Sequence, residues 1–134
     1  MDVTDTQADV VRWHVANGGN NGRLAGHALR LLNEAVELCV TAGASADEIG
    51  SRVSAEIAKA ASRGEFEKEV TFDGVRAELV DVQFLSDVIA YHTGSLNIET
   101  ERRTKLEILN ERKWEADRDG VLWRPGFTPK LHTA

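Results

Sequence analysis

The sequence predicts an all-α protein, a helical bundle of four to five helices with short connections. Three observations carry this reading. The two prolines, Pro125 and Pro129, both lie near the C-terminal end, so nothing breaks the helical pattern before them. Gly43 and Gly94 stand where apolar periodicity stops, as helix terminators do. Ser45 is followed three residues later by Glu48, the spacing of a capping box.

The elements follow in order. Residues 4–16 form a short amphipathic stretch carrying Val10, Val11, Trp13 and Val15. The run Asn17-Gly18-Gly19-Asn20-Asn21-Gly22 is a loop, because glycine and asparagine favour turns. A long helix over 23–42 ends at Gly43, and the capping box opens the next, which runs to about Arg63. Residues 64–74 are polar around Val70, Thr71 and Phe72, and read as a loop or short extended piece. A helix over 75–93 closes at Gly94, and a last one runs from about Ile98 to about Asp117. The tail over 119–134 is expected to be irregular, with Trp123 as a docking residue.

At 134 residues the chain is read as a single domain over 1–134, large enough for a core without staples. A net charge of -6 and the lack of any dense basic run argue against a nucleic-acid polymer as partner. The lone cysteine, Cys39, excludes an internal disulfide, fits a reducing compartment and is expected to be buried packing. No apolar run is long enough to span a bilayer, and no signal-peptide pattern is seen. A cytoplasmic location, without membrane, is the expectation.

The most informative residues are Glu78 and Asp81. On a helical wheel they lie about 60° apart among Ala77, Val82, Phe84, Leu85, Val88 and Ile89, with Arg76, Gln83 and Asp87 opposite. Carboxylates on a core-facing stripe cost several kcal/mol, roughly, unless a cation compensates them. An earlier pair, Glu34 and Glu37, shares a helix face with Arg23, His27 and Arg30, opposite Leu24, Ala28, Leu31, Ala35 and Leu38. By itself that is an ordinary solvated face, with Arg30 and Glu34 as an i,i+4 pair. Two helices each offering acids at i and i+3 can direct four carboxylates at one space, and such oxygen ligands suit Mg2+ or Mn2+. The competing reading pairs the acids with Arg76, Arg102 or Arg112 in a structural network.

The last helix supplies positive charge. Arg102, Leu109, Arg112 and Lys113 fall within about 80° of Lys105 on the wheel, away from Glu107 and Glu111. Such a stripe suits phosphate oxygens, or is simply solvated. Trp13 and Trp114 are candidates to stack on a base, and Asn17, Asn20, Asn21 and Asn110 to read its edge. Core packing and turn formation are the plainer roles for these residues. His92 lies on the acidic face, beside a metal or as a satisfied core histidine.

Glu34-x-x-Glu37 followed by Glu78-x-x-Asp81 resembles the ExxE…ExxD signature of the all-α nucleoside triphosphate pyrophosphatases, the MazG and dimeric dUTPase superfamily. The closing residues Lys105, Asn110, Arg112, Lys113 and Trp114, then Asp119-Gly120-Val121, resemble the ending of its short phage members. These are the dATP/dGTP pyrophosphohydrolases, with the phage MazZ branch among them, and Trp13 ahead of the first acidic helix also fits. The likeness covers about 10–124, with an extra helix between the two acidic motifs.

That resemblance implies a MazG-like domain assembling as a homo-oligomer, dimer or tetramer, in a host cytoplasm if phage-encoded. It implies Mg2+-dependent conversion of a purine (d)NTP, dGTP first, to the monophosphate and pyrophosphate. Glu34, Glu37, Glu78 and Asp81 would hold the metal, with Glu37 favoured as the base acting on water. Lys105, Arg112 and Lys113 would hold the substrate phosphates, and Trp13, Asn17 and Asn110 the base. The alternatives are a dUTPase, a house-cleaning pyrophosphatase for modified nucleotides, and a non-catalytic helical module that binds a metal or partner through the same acids.

Overall fold

The structure, a computed structural model, describes residues 5–19, 22–95 and 97–129. It is all-α, with helices α1 (Asp5–Ala16), α2 (Leu24–Thr41), α3 (Ala46–Ser62), α4 (Phe72–His92) and α5 (Ile98–Asn110). A single 3-10 turn at Glu65–Glu67 lies between α3 and α4 among the described residues. A small hairpin of β1 (Glu115–Ala116) and β2 (Leu122–Trp123) follows α5. The chain divides into two compact units. One is built from the segments up to Glu34 and from Asn97 onward; the other is the segment between them.

The first unit holds the buried core of the described residues. Leu106 of α5 is buried with Val121 and Leu122 of the hairpin and with Thr6 of α1. The Thr6 hydroxyl bonds the Glu99 carboxylate in the first turn of α5, which holds that acid below its usual range. Asp9 on α1 accepts from Arg103 of α5 at 3.1 Å and also pairs with Arg12. Trp13 meets Trp114 edge-on at 5.1 Å, closing the apolar side of the same packing.

The last helix is shorter than the periodicity suggests, ending at Asn110 rather than near Asp117. Trp114 folds back and its indole N–H donates to the Leu109 carbonyl at 3.0 Å, satisfying an acceptor that another helical turn would have used. Nor is the tail wholly irregular beyond 119. Asp117 Oδ1 accepts the N–H groups of Asp119 at 2.9 Å and Val121 at 3.0 Å, and Oδ2 accepts the Trp123 indole N–H at 3.0 Å. One carboxylate thus ties a turn that registers Glu115 against Trp123 and Ala116 against Leu122. Burial raises the Asp117 pKa, but those three hydrogen bonds and nearby His27 outweigh it and leave the pKa lowered.

The hairpin reaches α2 through Gly26, which is buried. A β-carbon there would stand 2.6 Å from the Asp119 Cβ, so only glycine admits this approach. One turn further along α2, the Arg30 guanidinium lies over the Trp123 ring, 4.5 Å from its centroid. The side of α2 read as solvated is therefore the covered one here, through Gly26, His27 and Arg30. Its apolar residues Leu24, Leu31 and Leu38 are exposed.

In the second unit local chemistry fixes the helix ends. Ser45 caps α3 through both arms of the capping box, at 3.1 Å to the Glu48 N–H and 2.9 Å from the Ser45 N–H to the Glu48 carboxylate. These bonds hold the Glu48 pKa down. Thr71 Oγ1 accepts the Gly74 N–H, so α4 starts at Phe72, earlier than the expected 75. Neither α3 nor α4 contains a buried residue. Along α4, Val80, Phe84 and Leu85 are all more than half exposed. Cys39, expected to be buried, is exposed as well. These faces are apolar without a cover among the described residues, so the burial anticipated from periodicity is absent from the single chain.

Candidate functional site

Glu34 and Glu37 lie on α2, and Glu78 and Asp81 on α4, each pair three residues apart and so on one side of its helix. All four side chains are exposed. The expectation that Glu78 and Asp81 face a core is corrected, because the apolar residues around them are uncovered too. Burial therefore demands no compensating charge on α4 in the single chain.

Their partners separate the competing readings. Arg76 pairs with Asp73 at 3.0 Å and Arg102 with Glu99 at 3.1 Å, so neither arginine serves the candidate acids. Glu37, Glu78 and Asp81 form no hydrogen bond or ion pair among the described residues. Glu34 does, taking Arg30 Nη1 on Oε1 at 2.8 Å. Among the described residues no three of His, Cys, Asp and Glu side chains gather where they could hold a metal ion. The donor set itself, carboxylate oxygen throughout, has the chemistry of a hard divalent cation such as Mg2+ or Mn2+.

The cationic candidates are placed differently from the wheel. Lys105 lies on α5 and is exposed. Arg112 and Lys113 follow the end of that helix, so they share no helical stripe with it; Arg112 is half-buried and Lys113 exposed. None of the three forms an ion pair among the described residues.

Two of the base candidates come together. Trp13 and Asn110 line one groove of about 430 Å3 between α1 and α5, with Arg12, Ala16, Arg103 and Leu106. The Trp13 Nε1 is buried with no hydrogen-bond partner among the described residues. Asn17 has the plainer role, its side-chain amide donating to the Trp13 carbonyl at 2.8 Å and closing α1. Asn20 and Asn21 lie outside the described residues. His92 is exposed at the end of α4, its ring 5.2 Å from that of Tyr91, and is not a core histidine.

Sequence reasoning missed a polar junction in the first unit. His14 and His27 meet edge to face at 5.3 Å, and Gly19 packs so closely on the His14 ring that no β-carbon fits. Arg23 lies 3.6 Å from Asp119 in the turn that Asp117 ties. The Asp117-x-Asp119-Gly120 turn was the available signal, since aspartate before glycine marks a tight turn.

Compared with known proteins, this chain matches no family model, no curated protein and no solved structure.

Proposed function

We propose that this protein is a metal-dependent nucleotide pyrophosphohydrolase of MazG-like architecture, converting a purine (d)NTP, dGTP first, to the monophosphate and pyrophosphate. One observation carries it furthest. Three of the four acids in the ExxE…ExxD pattern, Glu37, Glu78 and Asp81, are without a partner among the described residues. A structural ion-pair network would have used them, and of the arginines considered for it Arg76 and Arg102 are bonded elsewhere while Arg112 pairs with none of the acids among the described residues.

The assembly belongs to the same reading. The apolar faces of α2 and α4 are exposed on the helices that bear the acids, and each large side chain buried there would contribute about 1.5–3 kcal/mol. Pairing those faces in a homo-oligomer would cover them, and on α4 it would place Glu78 and Asp81, which lie among the apolar residues, at the contact.

Bound Mg2+ or Mn2+ would supply an acidified water and neutralise charge developing on the phosphoryl oxygens. Glu34, Glu37, Glu78 and Asp81 would hold the ion. Glu37 would accept the proton as the water oxygen bonds to the α-phosphorus and the bridging P–O bond to the β-phosphate breaks. Lys105, Arg112 and Lys113 would take the β and γ phosphate oxygens, and pyrophosphate leaves with the electron pair. Trp13 and Asn110 would contact the base, Trp13 through its ring and Asn110 through its amide.

Pyrophosphate release from a panel of nucleoside triphosphates, with and without Mg2+, tests this. Release from dGTP or dATP supports it, and release from dUTP alone moves the assignment to a dUTPase. Turnover confined to modified nucleotides marks a house-cleaning enzyme. Failure with every triphosphate leaves a non-catalytic module.

A further inference from the structure

We propose that Glu107 is the residue that selects guanine, reading the base in the groove between α1 and α5. The inference rests on the reading above that the base of the nucleotide meets Trp13 and Asn110, and it adds the choice among purines.

The groove, about 430 Å3, lies wholly within the first unit. Four residues of α1 line it, at i, i+3, i+4 and i+7 from Asp9, and four of α5 line it at the same intervals from Arg103, so each helix offers a single face. Thr6 bonds Glu99 and Asp9 bonds Arg103, so the two helices run parallel and Trp13 comes level with Glu107. Leu106 on the same face is buried. Trp13 supplies an aromatic surface of the kind on which bases stack. Its Nε1 is buried without a partner among the described residues, an unsatisfied donor such as folds retain at functional sites.

The polar groups are sorted along the groove. At one end Asp9 accepts from Arg103 at 3.1 Å and also pairs with Arg12, so its charge is compensated and two guanidinium groups are held in place. Each guanidinium carries five N–H donors, more than Asp9 can occupy. One turn further along α5, about 6 Å, stands Glu107, a carboxylate with no hydrogen bond or ion pair among the described residues. Donors and then an acceptor thus succeed one another over the length of a purine edge. Guanine offers O6 and N7 as acceptors, then N1–H and the 2-amino group as donors, and so fits that order, with a guanidinium on the first pair and Glu107 on the second. Adenine opposes it at both ends, its 6-amino donor meeting a guanidinium and its N1 lone pair meeting the carboxylate.

The test is equilibrium dialysis of dGMP and of dAMP against the full chain in EDTA, with circular dichroism to verify folding and pyrophosphate release in Mg2+ measured in parallel. Wild type is expected to bind dGMP at least about tenfold more tightly than dAMP. Glu107→Gln should weaken dGMP by about tenfold and tighten dAMP, because a carboxamide donates to adenine N1 and accepts from its 6-amino group. A merely structural residue would not reverse the preference. The side chain is exposed and without a partner among the described residues, so this isosteric change removes no fold contact. Equal binding of the two nucleotides, tighter dAMP, or no binding at millimolar concentration overturns the selection of guanine. A dGMP preference unchanged in Glu107→Gln overturns the role of Glu107. In each of these cases pyrophosphate release from a purine triphosphate leaves the hydrolase reading standing. A guanine preference that Glu107→Gln reverses, in a protein that turns over no triphosphate, keeps the guanine site and removes the hydrolase.

Discussion

The imidazole rings of His14 and His27 meet edge to face with their centroids 5.3 Å apart, joining the end of α1 to the start of α2. Burial lowers the His14 pKa, and the neighbouring His27 lowers it further, against a hydrogen bond with the Gly19 backbone. Folded His14 therefore binds a proton less readily than it does in the unfolded chain. Its contribution is fully present above the ordinary imidazole pKa of about 6.5 and is lost as pH falls below it. The melting temperature is expected to drop between about pH 7.5 and about pH 5, and the drop to shrink in His14→Gln. Asp117, with a lowered carboxyl pKa, loses its contribution only at more acid pH, so thermal scans within that range isolate the histidine.

Two glycines in helices should respond oppositely to the same change. Alanine favours a helix over glycine by about 1 kcal/mol, and at Gly50 in α3 nothing lies within 4 Å of an added β-carbon. Gly50→Ala should stabilise by about 0.5–1 kcal/mol in urea titration. Gly26→Ala should destabilise by about 1–3 kcal/mol despite the same propensity gain, because the methyl meets Asp119 and displaces the hairpin.

Asp81→Asn is expected to abolish triphosphate turnover while the helical circular dichroism signal is retained. The side chain is exposed and without a partner among the described residues, so no fold contact is lost. Mg2+ or Mn2+ should raise the melting temperature of the wild type by binding the folded state, and do so less in the variant. Joint loss of fold and turnover would identify Asp81 as structural.

Phe84 is 69% exposed on α4, beside Leu85, which is also more than half exposed. If that face pairs with a second copy, Phe84→Glu should lower the mass in sedimentation equilibrium toward that of one chain, because a charge would be buried at the interface. A wild type that already sediments as a monomer would remove the assembly from the proposal.

Helix type and most helix ends were legible in the residues, because they depend on neighbours within a turn. The Ser45 and Glu48 pair announced α3, and Gly43 and Gly94 announced two stops, each a matter of hydrogen bonds closed inside four or five residues. The acidic pairs were equally readable, since i,i+3 spacing alone puts them on one side of a helix. Where α5 stops was not legible: Trp114 takes the Leu109 carbonyl only once the chain has turned back, and that turn is set by packing against Trp13. Which side of α2 would be covered also escaped periodicity. The decision lay with Asp119 against Gly26 and Trp123 against Arg30, contacts between segments about ninety residues apart in the chain. Local propensity cannot encode such contacts, because their free energy exists only when both segments have been brought together.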